Sequence, residues 1–89
     1  MQVLAICRPA GGVDAQSAFG PHLEAEMAAL RRMRDAGSLE RAYSVGHPGA
    51  VLVLVADNVD AARAQAAGLP LARAGLVDVE LIPLHPLPL

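Results

Sequence analysis

The chain has 89 residues, 54% of them hydrophobic but only 2% aromatic, and a formal charge of −2. That length makes one domain, spanning 1–89, with a small core of Ala, Val, Leu, Ile and Met. The mild acidity argues against a nucleic-acid surface, a chain without lysine excludes a lysine Schiff base, and one cysteine excludes an internal disulfide.

Gln2 to Arg8 reads as a strand that is apolar on both faces, through Val3, Leu4, Ala5, Ile6 and Cys7. Pro9-Ala10-Gly11-Gly12 ends it and opens a loop. Pro21 suits the first turn of a helix, which is expected to run to about Ala36 and stop at Gly37. Leu39 to Val45 alternates, so Leu39, Tyr43 and Val45 are expected on one face and Ser38, Glu40 and Ser44 on the other. Gly46-His47-Pro48-Gly49 is a turn, and Ala50 to Ala56 is a continuous apolar strand. Asp57 or Asn58 can cap a second helix that ends at Gly68, with Asp60 in its first turn. Leu69-Pro70-Leu71 leads through a short irregular turn to a last strand, Leu76 to Leu84. There Val77, Val79 and Leu81 alternate with Asp78 and Glu80.

The order is βαββαβ, the ferredoxin-like arrangement of the α+β class. A four-stranded antiparallel sheet follows, with two helices on one face. The first and third strands are central in that topology, and these are the two without alternation. Two helices cover one face only, so the other sides of Val3, Ala5, Val51, Val53 and Val55 are expected to need a partner. A second copy, sheet against sheet, would supply it and give a dimeric α+β barrel.

The first helix carries the sharpest chemical signal. Leu23, Met27, Leu30 and Met33 form an apolar stripe, and Glu26 projects into it. A carboxylate on that side is expected to lose water, which favours its protonated form and suits a proton shuttle. His22, one turn earlier, is close enough to pair with it. The plainer alternative is a stripe-edge Glu26 that reaches solvent or binds Arg34.

Tyr43 could donate its hydroxyl to a developing enolate oxygen, or simply pack in the core. Arg8, at the end of the first strand, could hold a substrate carboxylate or face solvent. His47 stands in a turn, where solvation is the commoner outcome. No ligand cluster for a metal is recognisable, and neither metal nor organic cofactor is expected. No apolar run approaches a membrane span, and residues 2–7 lack the leader of a signal peptide. A cytoplasmic protein is the expectation.

The segment from Gly68 to Pro86 resembles the closing segment of the muconolactone isomerase-like proteins. Its marks are a helix-ending Gly68, then Leu-Pro-Leu, a strand with acidic residues on one face, and the His85-Pro86 pair. The resemblance implies a homodimer or a larger ring of dimers, and a cofactor-free proton shift on an unsaturated lactone. It also implies a role for Glu26, since a glutamate stands at the matching distance before the helix-ending glycine. A Gly-His pair near the central turn brings in His47. His85 would line a neighbour's pocket or anchor the tail there. The chain departs from the pattern in lacking a His or Lys along its first strand and any Trp in its second, which alters the expected pocket lining.

Three functions are therefore in view. One is an isomerase acting on a lactone or related carbonyl compound, in aromatic catabolism or natural-product tailoring. The second is a cofactor-independent cyclase or antibiotic-biosynthesis-type monooxygenase on the same scaffold. The third is a non-catalytic binding or assembly module. An apolar pocket with Glu26 on its wall favours an enzyme, and a pocket filled by Phe19, Met27 and Met33 favours the module.

Overall fold

A computed structural model describes all residues, Met1–Leu89. Strands β1 (Gln2–Pro9), β2 (Leu39–Ser44), β3 (Ala50–Val55) and β4 (Val77–Leu84) form one sheet in the order β2-β3-β1-β4, all pairs antiparallel. The two strands without alternation are central and the two alternating strands are edges, as their residue patterns require. Two longer helices, α2 (Leu23–Asp35) and α3 (Val59–Ala67), and two single-turn helices, α1 (Ala15–Ala18) and α4 (Pro70–Arg73), complete the fold.

Local chemistry sets these boundaries. Asn58 Oδ1 accepts from Ala61 N at 2.8 Å and starts α3, while Asp57 takes no part in that cap. Gly37, at φ 85°, reverses the chain after α2, where Ser38 N donates to Met33 O. The expected helix start at Pro21 is a short 3-10 turn, Gly20–His22, and the α-helix proper begins at Leu23. The expected open loop after Pro9 contains α1, capped by Asp14. The expected irregular turn after Leu69 is α4, with Pro70 at its first position, where a missing N–H costs nothing.

The register separates the two faces of the sheet. Val3, Ala5, Leu52 and Leu54 point at the helices and are at most 1% exposed. Ala62 and Ala66 let α3 approach them closely, and both are as deeply buried. The opposite face carries Leu4, Ile6, Val51, Val53, Val55 and Ile82, and no helix covers it. The expectation that Val3 and Ala5 share this open face is therefore corrected: of the five residues expected there, the three valines of β3 are present and Val3 and Ala5 face the helices.

A bulge between Leu39 and Arg41 corrects a second expectation. Leu39 pairs with Leu54 on the helix side, whereas Tyr43 pairs with Val51 on the open side. Leu39 is buried and Tyr43 is 52% exposed, so the two do not share a face. An extra residue in an edge strand shifts every side chain after it to the other side.

Candidate active site

Between the sheet and the end of the helical layer lies a cavity of about 520 Å³, lined by 23 residues of which 16 are hydrophobic. That volume suits a small organic molecule. Its walls come from α1 and the turn after it (Ala15, Phe19), from α2 (Leu23, Glu26, Met27, Leu30) and from the strands (Cys7, Leu52, Val77, Val79). Leu71 and Ala72 of α4 close the inner end, and the turn from His47 to Gly49 borders it on another side. Phe19 is buried in the wall, and Met33 packs against the core instead of filling the space. Leu23 and Met27 are each 47% exposed and rim the cavity with apolar surface.

Glu26 is the only carboxylate in the lining. The apolar stripe of α2 turns it toward the sheet, and its Oε1 accepts from Leu71 N at 3.0 Å. Leu71 carries the first free N–H of α4, because Pro70 has none and Leu69 offers no side-chain cap. One carboxylate oxygen thus caps a helix from another element. The second oxygen makes no hydrogen bond to the protein. Arg34 pairs with Asp35 at 3.3 Å, so the expected alternative of a Glu26–Arg34 pair does not form.

Cys7 lies in the same wall. Burial, with a smaller contribution from the neighbouring Glu26 charge, pushes its thiol from 9.0 up to about 11. At neutral pH it is a protonated thiol, a small apolar wall group with no thiolate character.

The remaining sequence candidates divide. His47 borders the cavity with Glu26, whereas Tyr43 borders it only along its strand and its register puts the side chain on Val51's side of the sheet, which corrects its expected place in the site. His47 Nδ1 lies 3.1 Å from Pro48 O; a carbonyl only accepts, so Nδ1 is the donor there. His22 does not line the cavity, and no hydrogen bond joins it to Glu26, which corrects the expected pairing. Arg8 points to the open face of the sheet, where its guanidinium meets Glu80 at 3.0 Å, outside the cavity. His85 lies in the exposed tail after β4 and outside the cavity as well. No three His, Cys, Asp or Glu side chains come together as a metal site. No helix is long and apolar enough to cross a membrane.

Sequence reasoning did not single out Cys7 or the Leu71 amide. The first was hidden in an apolar strand. The second required knowing that Pro70 opens a helix.

The chain shares its fold with solved structures. It is similar to the 5-chloro-2-hydroxyhydroquinone dehydrochlorinase (TftG) from Burkholderia phenoliruptrix AC1100, solved in complex with 2,5-dihydroxybenzoquinone, at 16% identity and TM-score 0.75, with 96% of this chain and 94% of that one covered. It is equally similar to muconolactone isomerase, at 20% identity and TM-score 0.75, over 99% of this chain and 92% of the other. The α+β fold is therefore the muconolactone isomerase-like one. No protein-family model and no curated protein sequence matches the chain.

Proposed function

We propose that the protein is a cofactor-free isomerase that moves a proton on an unsaturated lactone or related carbonyl compound. The observation that carries this reading is a lone carboxylate, Glu26, on the wall of an open apolar cavity, with one oxygen tied to Leu71 N and the other without a protein partner. The hydrogen bond that Oε1 accepts from Leu71 N fixes the carboxylate's orientation, which leaves Oε2 as the base. It would take a proton from the carbon next to the carbonyl and return it to the vinylogous carbon. Negative charge would develop on the carbonyl oxygen meanwhile, at the cavity edge that the His47 turn borders. The apolar lining excludes water and strengthens electrostatic interactions there.

The fold neighbours support small-molecule chemistry in this kind of pocket. One is a lactone isomerase by name, and the other was solved with a quinone bound. An assembly module would leave the space filled, and Phe19 and Met33 leave it open. We further read the open face of the sheet, with Leu4, Ile6, Val51, Val53 and Ile82, as the contact between two copies in a homodimer.

The test is solvent deuterium uptake into a panel of unsaturated lactones, followed for the wild type and for Glu26→Gln. Gln keeps the shape and can still accept from Leu71 N, so the fold should survive. Turnover should fall by roughly 10²–10⁴, the usual worth of a positioned base. A fully active Glu26→Gln protein would move the chemistry to another residue.

A further inference from the structure

The bulge in β2 decides which hydroxyl the sheet offers to the cavity. Leu39 faces the helices, and unbroken alternation would bring Tyr43 to that side and turn Ser44 away. With the bulge, Ser44 pairs with Ala50, and Ala50 in turn with Cys7. Cys7 pairs with Val79 on its other side. One row of side chains therefore crosses the helix-facing side of the sheet, and all four of its members line the cavity. A bulge beside a site re-aims a side chain in this way.

Ser44 is the one serine of three whose hydroxyl is not engaged. Ser17 Oγ donates to Asp14 O and Ser38 Oγ to Met33 O, both at 3.2 Å, whereas Ser44 Oγ bonds no protein group. It stands at the cavity mouth on a fixed support. The hairpin end is pressed onto β1, where a Cβ on Gly49 would lie 2.7 Å from Cys7 O. Two strand spacings, roughly 10 Å, separate Ser44 from Cys7 along the row. Glu26 lies on the Cys7 side, close enough for its charge to act on the thiol. Between them, the small side chain of Ala50 leaves room for a ring.

We propose that Ser44 Oγ donates a hydrogen bond to the substrate's carbonyl oxygen and stabilises the negative charge that develops there. The proposal rests on reading Glu26 as the base. A proton passes from carbon to Glu26 Oε2, and the electron pair it leaves moves onto the carbonyl oxygen. Ser44 keeps its own proton throughout, and the charge collapses when Glu26 returns its proton to the vinylogous carbon. The substrate thus lies along the row, with its reacting carbons over Cys7 and its oxygen toward Ser44. Two other donors in the lining are less suited. Gln16 of α1 must order three torsions where Ser44 orders one, and His47 already spends Nδ1 on Pro48 O.

The probe is γ-phenyl-γ-butyrolactone carrying a carbon-13 carbonyl, a saturated lactone that cannot turn over, read by infrared difference spectroscopy. Its carbonyl band should lie at lower frequency in the wild type than in Ser44→Ala. Ser44→Thr, which keeps the hydroxyl, should restore the lower frequency, whereas Gln16→Ala and His47→Ala should leave it in place. Glu26→Gln should also retain the lower frequency, whether or not it turns over an unsaturated lactone, so failure of the isomerase reading and failure of this one are separate results. With a substrate that does turn over, Ser44→Ala should lower kcat roughly tenfold to hundredfold and change KM little. That is less than an enclosed donor is worth, because water reaches the mouth. Equal frequencies in wild type and Ser44→Ala overturn the proposal. So does a lower frequency that is lost only in Gln16→Ala or His47→Ala, or a lactone that does not bind.

Discussion

At the scale of the residue, Cys7 offers a pH test of the cavity's geometry. Its thiol titrates near 11 in the folded chain against 9.0 without the fold, burial being the larger cause and Glu26 the smaller. A raised acid pKa means that the unfolded chain loses its proton first. The stability linked to Cys7 is therefore complete below pH 9 and declines as pH rises from 9 toward 11. Melting temperature followed across that window should fall more steeply for the wild type than for Cys7→Ala, after correction for the difference at pH 8. Glu26→Gln removes the smaller cause, so the thiol should titrate lower in that variant, as read by ultraviolet thiolate absorbance. An unchanged thiol titration would mean that the Glu26 charge does not reach the Cys7 wall.

At the scale of the element, the hairpin from β2 to β3 is the most constrained connection. Gly49 has φ 126°, and a Cβ added there would sit 2.7 Å from Cys7 O. Gly46 has φ 81° but faces open space. Gly46→Ala should cost about 1 kcal/mol, from backbone strain alone. Gly49→Ala should cost roughly 3 kcal/mol or more, because strain and a backbone clash add. Urea unfolding of the two variants measures the gap, and equal losses would remove the clash argument. Much of this layer was legible in the sequence. The strand order followed from which strands alternate, and Glu26 from its place in the α2 stripe. The bulge in β2 was not legible, because Leu39, Tyr43 and Val45 keep an even spacing that hides an extra residue between them. Helix α4 was missed because the segment after Leu69-Pro70-Leu71 read as a short irregular turn, although the first position of a helix tolerates proline. His22 failed as a partner for Glu26 because it lies in the 3-10 turn before α2 begins, where α-helical spacing does not hold, and the donor that reaches Glu26 is the Leu71 amide, 45 residues away.

At the scale of the whole molecule, the proposed homodimer is motivated by the balance of buried and open apolar surface. Only 11 of 89 residues are buried, and the largest fully buried side chains are Leu52, Leu54 and Val3. A core so small is marginal alone, while the uncovered side of the sheet presents a contiguous aliphatic surface. Val53→Arg, at the centre of that side, should reduce the particle to 9.2 kDa in light scattering. It should also lower the melting temperature, since association contributes to stability. A wild type that runs as a monomer at micromolar concentration would refute the homodimer.

The bulge in β2 has a consequence for how this gene can vary in length. Losing the Glu40 codon would bring Leu39 and Arg41 into ordinary succession, with Ala42 still facing Leu52 and Tyr43 still facing Val51. Losing the Ala42 codon instead would push Arg41 into the place against Leu52 and turn a guanidinium toward the helices. In-frame deletions two codons apart should therefore differ sharply, the first yielding soluble protein and the second little. Homologous chains one residue shorter at that point would keep the same side-chain pattern on both sides of the sheet.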